Sequence, residues 1–227
     1  MAVINDPDTA ANIMRVEATH KAARISGRPM GLGARGAYAL AQNTGIIAAA
    51  TTGEIFQFRW THATLKCLLR SVSVSWAVST TAYVAGVPPT LGMKIARSWS
   101  ADGSGGTPIV FSTANTNKKR TDFALSALSD TGVRIATTAA LGAGTKTLDT
   151  NYCAMALGAA AAATGSTVVL PYTVLWQRNT HDEYPFLFET NEGFILQIVE
   201  QAGTGTSKIA VQVEWAEIDA TEIDGWA

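Results

Sequence analysis

The stretch CLLRSVSVSWAV, residues 67–78, alternates large apolar side chains with small hydroxyl ones. Val72, Val74, Trp76 and Val78 share one parity with Leu68, while Ser71, Ser73 and Ser75 take the other. A helix would scatter these residues around its axis. An extended strand puts each set on its own face, so one face meets a core and the other meets water or a polar neighbour. The same device recurs in EIFQFRWT, where Phe56, Phe58 and Trp60 alternate with Ile55, Gln57 and Arg59. It recurs again in SKIAVQVEWAE, where Ile209, Val211, Val213 and Trp215 alternate with Ala210, Gln212 and Glu214. The parity Trp215 shares with three aliphatic residues marks it as a core anchor.

Further strands are expected in LGMKIARSW, TPIVFST, GVRIATT, TVVLPYTVLW, YPFLFET and GFILQIV, giving about nine short strands in all. Between them lie ADGSGG, NTNKKRT, LGAGT and QAGTGTS, rich in residues that favour turns. GFILQIV and SKIAVQVEWAE, joined through AGTGT, are expected to form a closing hairpin. DFALSALSD is the one expected short helix in this part of the chain. This spacing of strands and turns predicts an all-β fold, an antiparallel sandwich of jelly-roll type, and not βαβ units.

Residues 1–51 differ in texture. A helix start is expected at Asp8, with Ile13, Val16, Ala23 and His20 along one side, but the stripe is thin. SGRPMGLGARGAYALAQNTG is broken by glycine and one proline and is expected to be an extended arm. The expected organisation is an N-terminal arm over 1–51, a β-sandwich domain over 52–218 and a tail over 219–227.

Charge bounds the functional classes. Charged residues make up 15% of the chain, against 47% hydrophobic, and the net charge is −1. Duplex or phosphate binding needs several Lys or Arg on one face, so nucleic acid is not an expected partner. The weakly charged surface instead fits a subunit that packs against copies or partners, and the serine face around Ser73 is expected to allow that approach. No apolar run reaches membrane-spanning length, the Ala-rich AMALGAAAAATG being too short, so no membrane partner is expected. Cys67 and Cys153 lack metal or redox spacing and are expected to be buried free thiols.

GLGARG, Gly31 to Gly36, matches a dinucleotide-binding string but follows no strand, so a turn in the arm is expected. His20, His62 and His181 are scattered. His181, Asp182 and Glu183 are adjacent, and neighbours on an extended chain point different ways, so a solvated loop is expected there. Lys118, Lys119 and Arg120 form a small basic cluster without interleaved aromatics, expected in a solvated loop or against an acidic patch of a neighbour. Trp99 and Trp176 are the best positions for a sugar-stacking platform, and core or interface positions are the plainer expectation for both. No catalytic, cofactor-binding or metal-ligating residue is assigned, no cofactor is expected, and a non-enzymatic protein is expected.

The ordered set ARISGRPMG, GEIFQFRWT, KIARSWSADGSGGTPI, GVRIATTAALGAGTKTLD and NEGFILQIVEQAGTGTSKIAVQVEWAEI, from about Arg24 to Ile218, resembles a family of virion structural proteins of tailed bacteriophages and prophages. The resemblance implies a jelly-roll-like domain made in the host bacterial cytoplasm and displayed on the capsid surface. It implies a decoration or cement subunit, commonly a homotrimer, with the major capsid protein as partner. The alternative is a fibre or spike component that binds a host-surface glycan.

Overall fold

The computed structural model describes residues 36–78, 88–113, 117–158, 169–178, 185–201 and 204–219. Twelve strands are present among them: β1 (Gly36–Asn43), β2 (Gly53–Trp60), β3 (Leu65–Val78), β4 (Thr90–Ala101), β5 (Thr107–Pro108), β6 (Val133–Ile135), β7 (Thr145–Leu148), β8 (Ala154–Leu157), β9 (Val169–Gln177), β10 (Leu187–Phe188), β11 (Glu192–Glu200) and β12 (Ser207–Asp219). The described residues contain no helix.

They form two antiparallel sheets packed as a sandwich. The first runs β1-β12-β3, with β9 and β10 sharing the far edge of β3. The second runs β5-β6-β2-β11-β4, with β7 and β8 sharing the far edge of β4. Leaving out the short pieces, the orders are β1-β12-β3-β9 and β2-β11-β4-β8. First pairs with last, second with second last, and so inward, which is the nested double Greek key of a jelly roll.

The expected closing hairpin is corrected by this order. β11 pairs with β2 and β4, whereas β12 pairs with β1 and β3, so the AGTGT connection crosses from one sheet to the other. Alternation fixes which face of a strand is buried, but it is the same for a hairpin and for two strands facing each other across a core. Phe194 and Leu196 on β11 do face that core together with Ile209, Val211, Val213 and Trp215 on β12.

The expected start of the sandwich at residue 52 is also corrected. β1 pairs with β12 along its whole length, and Tyr38 is fully buried. The following residues carry the chain between sheets. Thr44 N–H bonds Ile209 O in the first sheet, and Gly45 N–H bonds Ala136 O beside the second. A β-carbon on Gly45 would lie 2.1 Å from Thr137 O, so the close approach requires glycine. The signal was hidden because GAYALAQN alternates Ala with Tyr and Leu and offers little apolar bulk.

Two further expectations change for local reasons. Leu68 does not share a face with Val72, because a bulge opposite Glu214 and Trp215 inserts Arg70 and shifts the parity. Leu69 and Cys67 therefore join the main core, and Leu68 packs with Ala216 and Ile218 on the other face. DFALSALSD is irregular, not helical. Its polar groups are taken by distant side chains: Tyr38 hydroxyl bonds Ala124 O, Lys118 bonds Phe123 O, and Glu217 accepts from Ser126 and Ala127 N–H. Ser73 is buried between Gln212 of β12 and Val174 of β9, its cross-strand neighbours, so it is not an accessible contact residue.

Removing residues 1–30 should leave urea-induced unfolding of the sandwich within about 0.5 kcal/mol of the full chain. Tyr38→Ala, which empties an aromatic-sized space in the core, should cost roughly 3–5 kcal/mol in the same measurement.

Candidate functional surfaces

Among the described residues, the outward face of the second sheet carries a connected group of charged side chains. Glu54, Gln57 and Arg59 project there from β2 beneath the loops 101–106 and 139–146. Lys146 of β7 places Nζ 2.8 Å from Glu54 Oε2, and their side chains are 2% and 8% exposed. The same ammonium lies 4.6 Å from the Trp99 ring centroid and also donates to Ala143 O. Gln57 Nε2 donates to Glu54 Oε2 at 2.5 Å and to Gly142 O at 3.0 Å.

Beside this group Arg59 donates to Asp102 Oδ1 and Asn191 Oδ1, each at 2.8 Å, and Asp102 Oδ2 accepts from Thr131. Arg97 reaches Glu192 at 3.0 Å and Asp149 at 3.4 Å. Every carboxylate in the network thus has a cation against it, and the innermost pair is sealed from solvent. Such an arrangement fixes loops to a sheet; it leaves no carboxylate free to move a proton to or from a substrate. The loops fit only because they are glycine-rich. A β-carbon on Gly103 would meet Gln57 Oε1 and Gly142 O at 2.2 Å, and Gly144 has φ of 68°.

A second buried carboxylate, Glu217, lies at the other sheet. It accepts from Ser126 Oγ at 2.6 Å, Ala127 N–H at 3.0 Å and Trp215 Nε1 at 3.3 Å. Its donors come from the 117–132 segment and from its own strand, so it pins that segment to β12. Burial, and then the nearby Glu217 carboxylate, push the Cys67 thiol well above its usual pKa.

The residues singled out from sequence separate cleanly. Gly36, the last glycine of GLGARG, begins a strand, the reverse of the strand-to-helix turn a dinucleotide requires; residues 31–35 lie outside the described residues. His62 Nδ1 accepts from the N–H groups of Thr64 and Leu65, so the ring organises the β2–β3 turn. His20 and the cluster His181, Asp182 and Glu183 lie outside the described residues. Among those described, no three His, Cys, Asp or Glu side chains gather to hold a metal.

The basic cluster is spent within the chain. Lys118 bonds the carbonyls of Thr121 and Phe123, Lys119 pairs with Glu214 at 2.5 Å, and Arg120 pairs with Asp122. The Arg120 hydrogen bond holds the Asp122 carboxyl below the usual range. Trp99 is buried under the loops, with Nε1 donating to Ala101 O, and offers no sugar platform. Trp176 is half-buried against Phe186, ring centroids 5.0 Å apart. Trp215 is a core anchor, as its parity indicates. Cys153 is exposed rather than buried.

Sequence patterns did not indicate the Glu54–Lys146 pair, because its members are far apart in the chain and neither sits in a motif. They also missed β7 and β8, four-residue strands whose sequences TKTL and AMAL are too short to show a clear alternation. No protein-family model matches the chain, and no curated protein matches it.

Two outcomes are expected from this geometry. Lys146→Met, which strands Glu54, should destabilise the fold by about 3–5 kcal/mol, and adding Glu54→Gln should recover a large part of that loss in urea unfolding. Although Cys153 is exposed, its sulfur sits partly desolvated 3.3 Å from Met93 O, which raises its pKa. At pH 8 less thiolate is therefore present, and Cys153 should react with a disulfide reagent more slowly than a free cysteine. Cys67 should react only after unfolding.

Proposed function

We propose that this chain is a structural subunit of a tailed-phage particle, a decoration or cement protein that binds the assembled head and stabilises it. The observation that carries the proposal is a jelly-roll sandwich whose clustered charges are consumed by internal pairs and loop anchoring. A body of that kind supplies shape and rigid surfaces, which is what a lattice subunit contributes. The resemblance of the strings from Arg24 to Ile218 to virion structural proteins supports the same role. In this reading the partner is the major capsid protein, copies associate as a homotrimer, the protein resides on the virion surface, and residues 1–35 contribute to attachment. No catalytic step is proposed for it.

Glycan recognition is the second reading, with one observation in its favour. A groove of about 350 Å³ between β1 and the β5–β6 edge is lined by uncharged Gln42, Asn43, Thr107, Asn117 and Thr137, whose amides and hydroxyls suit a neutral sugar. Its lining includes no aromatic ring on which a sugar could stack.

Mixing the purified chain with phage heads that lack it should give saturable co-sedimentation at a fixed ratio to the capsid protein and raise the temperature at which heads release DNA. Deleting residues 1–30 should lower occupancy while the sandwich stays folded. Heads that bind none of the full chain would count against the decoration role.

A further inference from the structure

The sandwich treats its two sides differently. On one side both sheet edges are blunted. The segment 117–119 bonds to the outer edge of β1, with Ala39 N–H to Asn117 O and Lys119 N–H to Ala37 O, both 2.9 Å. The edge of the other sheet there is the two-residue strand β5, which contains Pro108. These are familiar ways to stop strand-to-strand pairing. On the opposite side lie β8 and β9, the neighbouring edge strands of the two sheets. β8 pairs with β4 along one edge, and its other edge has no backbone partner among the described residues.

Polarity on that side is inverted. β8 turns its small residues inward, Ala154 and Ala156 packing on the core, and its large ones outward. Met155 is 49% and Leu157 69% exposed, and on β9 Tyr172 is 60% and Val174 43% exposed. Large apolar side chains outside and alanines inside is the reverse of what a solvated edge needs. The charge pattern agrees: residues 150–158 and 169–177, the described ones in and beside β8 and β9, include no Asp, Glu, Lys or Arg.

We infer that the β8–β9 side is the contact through which copies of this chain associate, the occupant being a second copy of the same chain. The inference deepens the self-association in the proposed function and rests on that part of it, not on the capsid. A second copy is favoured over another protein by charge. Close to a symmetry axis each residue faces its own counterpart, so any charge there meets a like charge, and strands without charged residues, as β8 and β9 are, suit such a contact. A net charge of −1 also leaves little long-range repulsion between copies. The open edge of β8 offers N–H and C=O groups to the neighbour, and Met155, Leu157, Tyr172 and Val174 supply the apolar burial.

Sedimentation velocity of the full chain, without heads present, tests this. The wild type and Val110→Lys, an exposed apolar position on the blunted side, should run as the same closed oligomer. Leu157→Lys and, separately, Tyr172→Ser should shift toward monomer, with association weakened about tenfold or more for the lysine variant, while far-UV spectra and melting stay as in wild type. A wild type that remains monomeric at micromolar concentration overturns the inference, as does a folded Leu157→Lys that stays fully assembled. A monomeric wild type whose binding to heads is abolished by Leu157→Lys would assign this side to the capsid instead. An oligomer dispersed by Leu157→Lys that binds no heads would keep the inference and remove the decoration role.

Discussion

The two sheets are held in register by one indole. Trp215, on β12 of the first sheet, stacks on Tyr38 of β1 with centroids 5.5 Å apart, and meets Phe58 of the second sheet edge-on at 5.6 Å. It also takes Phe111, from the loop after β5, at 5.8 Å and a near-perpendicular angle. Phe58 in turn stacks on Phe194 and touches Phe188, so a continuous set of rings runs through the sandwich. Edge-on and offset contacts of this sort contribute about 0.5–1.5 kcal/mol each beyond the area they bury. The indole N–H is satisfied by Glu217, and Glu217 also anchors the 117–132 segment, so the core and the edge cover of β1 depend on the same few atoms.

That dependence explains why buried charge is tolerated here. Glu217 is fixed by three different donors and Glu54 by an ammonium and an amide, so neither carboxylate is left unsolvated without compensation. Removing a partner from such a group costs more than the group contributes when paired. Among the described residues the internal pairing takes up the clustered charges, those of Glu54, Arg59, Asp102, Lys119 and Lys146 included. The exposed apolar side chains of β8 and β9 and the open edge of β8 are the features on which the proposed self-association rests.

Much of the fold was legible because alternation is a local property. The inward face of β12 and the burial of Trp215 followed from a period-two pattern, as did the inward turn of Phe56, Phe58 and Trp60 on β2. Ile55, expected on the opposite face, joins the same core because a bulge at that residue shifts the parity. What failed depended on partners distant in sequence. A bulge that inserts Arg70 reversed the face of Leu68, and no pattern within CLLRSV marks the slip, because its cause lies opposite, at Glu214 and Trp215. The supposed hairpin was two strands of different sheets, since a connection rich in glycine serves either geometry. β1 escaped because its stability comes from β12 and from the Asn117–Lys119 segment, not from its own composition. The surface on β8 was visible only once alternate residues were known to point in and out: AMAL has no polarity until Ala156 is placed against the core.

In the proposed assembly the sandwich is finished on one side by its own chain and on the other by a neighbouring copy. Amide hydrogen exchange, compared between the assembled protein and a dilute or dispersed monomer, measures that asymmetry directly. The account predicts added protection on assembly at residues 154–157 of β8 and 172–177 of β9, with β1 and the 117–119 segment unchanged. Protection confined to the side of Gln42, Asn43 and Thr107, with β8 exchanging equally in both states, would contradict it.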